Sequence, residues 1–164
     1  SSIQHFSYKR HELVGYNYRM PDICAAIGLA QLAKLNMLVK KRIQIAKILI
    51  KVLKKYNWIK VQKIPKNYES SFWTVSFLII KKENNIWDKF RNKFLEFGGD
   101  PFYGAWALSY NEPSFLNINK KIKKNCKVAN QIQNKIIQLK TNYKTLGEAK
   151  KQSIILKKTL DYFN

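Results

Sequence analysis

Gly15, Asn17, Arg19 and Asp22 form the densest cluster of chemistry-capable residues in the chain. An asparagine amide offers two donors and an acceptor. An arginine offers a fixed cationic fork that matches phosphate oxygens. A glycine two residues before Asn17 lets the backbone turn sharply beside a ligand. Together they suit contact with a phosphate or a sugar. The blander alternative is that Asn17 closes its own turn and Arg19 pairs with Asp22 or another carboxylate. A second cluster is aromatic: Tyr103, Trp106 and Tyr110 lie in a loop between Gly98 and Pro113. Flat rings there can lie against sugar faces, or can anchor an irregular loop on the core. His5 and His11 have no cysteine or carboxylate at ligand spacing, so no metal site is expected. Cys24 and Cys126 stand far apart and read as small buried thiols in a reducing compartment. The scattered acids contain no recognisable glycosidase pair.

The elements that must position these residues follow from periodicity. Pro21 can open a helix, because the N–H it lacks would be unpaired there. Asp22 then favours the positive end of the helix dipole. Ile23, Ala26, Ile27, Ala30 and Leu35 recur at helical spacing, and Ala25, Ala26, Gly28 and Ala30 keep the helix thin. A second helix is predicted over 37–56, with Ile45, Ile48, Leu49, Val52 and Leu53 inward and a kink near Asn36. Strands are predicted over 58–61 and 71–80. A helix over 84–97 carries Ile86, Phe90, Phe94 and Phe97, and Gly98-Gly99 ends it. Another helix is predicted over 125–138 and a short extended piece over 139–143. Thr145 and Glu148 have capping-box spacing and start the last helix, with Ala149, Ile155, Leu156 and Leu160 inward. From Trp58 onward this order gives an α+β layer, with helices covering one face of a small sheet.

Composition narrows the classes. The 164 residues, 46% hydrophobic and 13% aromatic, can bury a real core. No apolar run is long enough to cross a bilayer, and 1–10 has no signal-peptide pattern, so the cytoplasm is the expected location. A formal charge of +21 raises an alternative function, a small basic α+β module that binds nucleic acid. Lysine, however, far outnumbers arginine, whose only positions are Arg10, Arg19, Arg42 and Arg91. Arginine is the preferred fork for base edges and phosphates, so specific nucleic-acid binding is not the reading favoured.

The run from Gly15 to Leu32, with Asn17, Tyr18, Arg19, Met20 and Asp22 followed by Ala25-Ala26-Ile27-Gly28-Leu29-Ala30-Gln31-Leu32, resembles the GxNYRM stretch of the DegT/DnrJ/StrS sugar aminotransferases. Arg42 and Ala46 fit the family's spacing in the long helix. The loops 98–100 and 103–113 are similar to its substrate-facing loop. The resemblance is sharp over 15–32 and about 98–113, and looser elsewhere. It implies the C-terminal portion of a fold-type I transferase that uses pyridoxal phosphate. Residues 1–56 would be the tail of its large α/β domain, and 57–164 the small C-terminal α+β domain. Members act as dimers with shared active sites. Asn17 is expected to reach the cofactor phosphate held by the other subunit, with Arg19 beside it. Tyr18, Tyr103 and Trp106 are expected on the substrate side. The parent reaction this implies moves an amino group from an amino-acid donor to a nucleotide-linked keto-sugar. The family's cofactor lysine lies several dozen residues before the GxNYRM loop, so no catalytic residue is assigned here. The expected partner is a second copy or a lysine-bearing N-terminal part, and the chain by itself is expected to be inactive.

Overall fold

The computed structural model describes residues 16, 18–104, 108–115 and 126–164, with the backbone alone at 103, 104 and 114. Two compact units divide between Leu35 and Asn36. The sequence places the division after Tyr56 instead. The reason for the earlier break is that the second helix buries its apolar stripe in the C-terminal core.

The first unit contains α1 (Asp22–Leu32). Pro21 is its N-cap, one position earlier than the sequence suggests, and the Pro21 carbonyl accepts from the Ala25 amide at 3.0 Å. No residue of α1 is buried; Ile23 is 75% and Leu29 69% exposed. Cys24 is exposed as well, not buried as expected. A helix that is apolar all round has no side suited to water.

The second unit begins with α2 (Leu35–Leu53), which buries Ile45, Ala46, Leu49 and Leu53. Strands β1 (Ile59–Val61) and β2 (Thr74–Ile79) follow, then α3 (Ile86–Glu96), β3 (Tyr103–Gly104), α4 (Lys127–Ile132), β4 (Ile136–Lys140) and α5 (Leu146–Tyr162). The four strands form an antiparallel sheet in the order β1-β2-β4-β3. Val75 faces Leu139 and Phe77 faces Ile137 across the central pair. Directly opposed residues share a face, and these four, with Ile79, form the buried side of the sheet. Helices α2, α3 and α5 supply the other half of this core with Leu49, Leu53, Phe90, Phe94, Leu156 and Leu160.

The expected helix over 125–138 is half right. It stops at Ile132, passes through a 3-10 turn (Gln133–Lys135) and becomes β4. Ile136 fits a helical repeat with Ile132, but Ile137 and Leu139 alternate as a strand does, and pairing with β2 decides the matter. The start of α5 matches its capping signal: the Glu148 amide donates to Thr145 Oγ1 at 3.2 Å, and Glu148 Oε2 accepts from the Lys144 amide at 3.2 Å. Among the described residues no single helix is long and apolar enough to cross a membrane.

Candidate functional site

Pro21, just before α1, is extended, with φ of −60° and ψ of 144°. Arg19, Met20, Pro21 and Asp22 line an open hollow of about 600 Å³. Arg19 and Asp22 are both exposed. Tyr18 is 87% exposed, and its ring meets Tyr16 edge-on with centroids 6.2 Å apart. The hollow joins a cationic fork, a carboxylate at a helix start and nearby phenol rings. That set can grip a phosphate or sugar from one side, but it does not enclose one. Asn17 lies outside the described residues.

The base of the aromatic loop is built with more restraint. At the end of α3, the Gly98 amide donates to the Leu95 carbonyl at 2.9 Å and the Gly99 amide to the Phe94 carbonyl at 2.8 Å. Gly98 has φ of 86°, so this is a Schellman stop. The Asp100 amide donates to Gln152 Oε1 of α5 at 2.9 Å, and the Asp100 carboxylate pairs with Lys140 at 2.8 Å. Burial, helped by the Asp100 charge, pushes the Tyr143 hydroxyl well above the ordinary tyrosine range. Phe102 is buried against Trp87, Phe90 and Phe94, with ring centroids 5.6 to 6.2 Å away. The chain then enters β3, where Tyr103 pairs by its backbone with Gln138. Trp106 lies outside the described residues. Farther on, the Tyr110 hydroxyl donates to Asn130 Oδ1 at 3.1 Å. The buried Oδ1 of Asn111 has no hydrogen-bond partner among the described residues.

Arg42 gains a role that spacing did not reveal. Its guanidinium donates to the Trp73 carbonyl at 3.1 Å and to Thr141 Oγ1 at 3.2 Å. The Thr141 hydroxyl lies 2.5 Å from the Phe72 carbonyl and 2.9 Å from that of Trp73, and its single proton serves one at a time. Phe72 sits at φ of 49°, a left-handed conformation costly for an aromatic residue. Arg42 and Thr141 thus clamp a strained entry to β2 against the end of β4. Ala46, one turn on, is fully buried, which explains why a small residue follows Arg42 at that interval.

Among the described residues no group of histidine, cysteine and carboxylate side chains could hold a metal ion. The candidate residues thus fall in two places, the Arg19 loop in the first unit and the Tyr103 region in the second.

Comparison with known proteins gives this arrangement a setting. In fold, the chain is similar to 3-amino-5-hydroxybenzoic acid synthase (TM-score 0.71, 17% identity, 95% of this chain and 43% of that one). It is also similar to Helicobacter pylori PseC, an aminotransferase involved in the biosynthesis of pseudoaminic acid (TM-score 0.77, 18% identity, 97% and 42%). In sequence, it is 41% identical over 68 residues to GDP-perosamine synthase of Escherichia coli O157:H7, a match that covers 42% of this chain and 18% of that protein. It is 53% identical over 38 residues to GDP-perosamine synthase of Vibrio cholerae, covering 23% and 10%. The chain thus matches less than half the length of each of these proteins. A family profile matches from residue 2 to residue 157, through the Arg19 loop, the sheet and most of α5, and by that match the chain belongs to the DegT/DnrJ/EryC1/StrS aminotransferase family.

Proposed function

We propose that this chain is the C-terminal part of an enzyme that transfers an amino group from an amino acid to a nucleotide-linked keto-sugar, in the making of surface polysaccharides or related amino sugars. The family match over residues 2–157 carries the reading. The relatives' names support the sugar substrate: two are GDP-perosamine synthases. In this reading residues 1–56 close the large domain, 57–164 form the small one, and the enzyme works as a dimer in the cytoplasm.

Enzymes of this family use pyridoxal phosphate. The described residues fit it only in part. Arg19 offers a fork for the phosphate at the rim of an open hollow, but no lysine lines that hollow and it has no opposite wall. The rest of the site would come from the other subunit and from the large domain. When bound, the cofactor supplies the electron sink that amino transfer needs. The residues of this chain bind and orient. Arg19 and the Asn17 amide hold phosphate oxygens. Tyr18, Tyr103 and Trp106 lie on the substrate side. Asp100, through Lys140 and Gln152, fixes the base of the aromatic loop so that its rings arrive in one place. In this reading the 164 residues alone are inactive, because the lysine that bonds the cofactor belongs to the large-domain part of the enzyme.

Mixing the chain with a lysine-bearing large domain of the family tests this directly. The visible absorbance of lysine-bound cofactor should appear only in the mixture. Asn17→Ala and Arg19→Ala should weaken cofactor retention without unfolding the chain. Full retention in both variants would remove the phosphate role.

A further inference from the structure

The helices cover one face of the sheet; on the other, Thr74, Ser76 and Leu78 of β2 are half-buried among the described residues. There Leu78 lies opposite both Ile136 and Lys60 in its two neighbouring strands. Ile132, at the end of α4, joins them. The result is a cavity of about 260 Å³, which Val61 and the core residue Phe77 also line. That is just under the ~300 Å³ at which small-molecule pockets begin. Its chemistry is divided. Leu78, Ile132 and Ile136 are half-buried and make an apolar floor. Lys60 and Lys63 stand exposed at the rim. Neither lysine is in an ion pair among the described residues, and no described carboxylate lines the cavity. Ser76 also lines it, with its hydroxyl 3.3 Å from Thr74 Oγ1 and free to turn toward a ligand.

Lysines on an edge strand often serve only to prevent strand pairing with another molecule. That accounts for Lys60 and Lys63 but not for the hollow beside them. An uncharged apolar ligand would leave the lysines unused, and a bare anion would leave the floor unused. We propose that the cavity binds a small organic anion with an apolar body, a carboxylate or phosphate on a ring or short branched chain. The body rests on Leu78, Ile132 and Ile136, and the anionic head meets Lys60 and Lys63. The site draws on the second unit alone and stands independently of the aminotransferase reading.

Benzoate is a suitable probe, with acetate and benzyl alcohol as its two halves. Amide chemical shifts of the 164-residue chain report where each binds. Benzoate should move the amides of Lys60, Gln62, Ser76 and Leu78 saturably, and each half should bind more weakly. Rim-exposed charge pairs contribute up to ~1 kcal/mol each, so a Lys60→Gln/Lys63→Gln variant should bind benzoate about tenfold more weakly. Leu78→Gln should weaken benzoate and leave acetate unchanged. Shifts no larger with benzoate than with acetate, or equal affinity in the double lysine variant, would overturn the proposal. The lysine variants alter exposed side chains only, so loss of folding would not obscure the result.

Discussion

Gly99 is the residue whose replacement the packing judges most severely. A Cβ there would stand 2.4 Å from two ring carbons of Phe94 and 2.6 Å from the Phe94 carbonyl oxygen. Ordinary carbon contacts lie at ~3.5–4.0 Å, so the ring would have to retreat by about 1 Å or more. It has little room: Phe94 is buried, with Phe90 stacked at 6.3 Å and Phe102 at 5.6 Å. The carbonyl cannot retreat without breaking the hydrogen bond that ends α3. Overpacking of this kind costs ~1–3 kcal/mol. Gly99→Ala should therefore lose about 2 kcal/mol, which at a urea slope of ~2 kcal/mol/M lowers the midpoint by about 1 M. Gly98 provides the contrast. Its nearest neighbour beyond the turn is Ile155 Cδ1 at 4.0 Å, so Gly98→Ala meets no clash and only the strain of φ 86°. That strain costs ~1 kcal/mol, and Gly98→Asn should recover part of it. Urea titrations followed by circular dichroism decide the order. A Gly99→Ala midpoint within about 0.2 M of the parent would refute the packing argument, given the same slope.

Other perturbations probe separate features. Arg42→Ala removes two hydrogen bonds from a charged donor and should cost ~1–3 kcal/mol, with Arg42→Lys recovering part of this because one ammonium nitrogen can also donate to both acceptors; thermal melts of the two variants would separate these cases. Thr145→Ala should cost ~1 kcal/mol through the lost cap of α5, and an unchanged melting temperature would count against the capping box. Burial, then the hydrogen bond to Asp161, raises the Tyr56 hydroxyl from 10.0 to about 12. The folded state thus holds that proton longer than the unfolded one. Its contribution is fully present below pH 10.0 and is lost as pH rises toward about 12. Tyr56→Phe should flatten that alkaline decline relative to the parent; an identical slope in both would refute the linkage. Finally, the uncovered α1 should make the isolated chain associate, and Ile23→Lys with Leu29→Lys should reduce this in sedimentation velocity. A parent chain that sediments as a monomer across the concentration range would contradict it.

Local signals were the most legible. Thr145 and Glu148 announce α5, Gly98-Gly99 end α3, and Phe90 and Phe94 recur at the spacing that buries them, because each of these depends on residues within a few positions. β4 was partly misread because Ile132 and Ile136 also fit a helix. Only the distant β2, through Val75 and Phe77, makes 136–140 a strand. The compact unit starts at Asn36 and not after Tyr56, because Leu49 and Leu53 of α2 belong to the core under the sheet, a placement that only distant partners fix. At the candidate site, Arg19 and Tyr18 of the motif lie in one exposed loop. Asp100, Gln152, Arg42 and Thr141 were assigned no such support roles, because their partners are far away in sequence and no local pattern marks them.

The strand order carries a consequence for synthesis. β4 lies between β2 and β3, yet it is the last of the four strands to leave the ribosome. Until Ile136–Lys140 emerges, β1 and β2 can form only a hairpin, and Tyr103–Gly104 has nothing to pair with. Closing such a distant pair carries the loop entropy that slows folding. A nascent chain halted before residue 136 would therefore hold Val75, Phe77 and Ile79 without their central neighbour, and would be a substrate for chaperones during that interval.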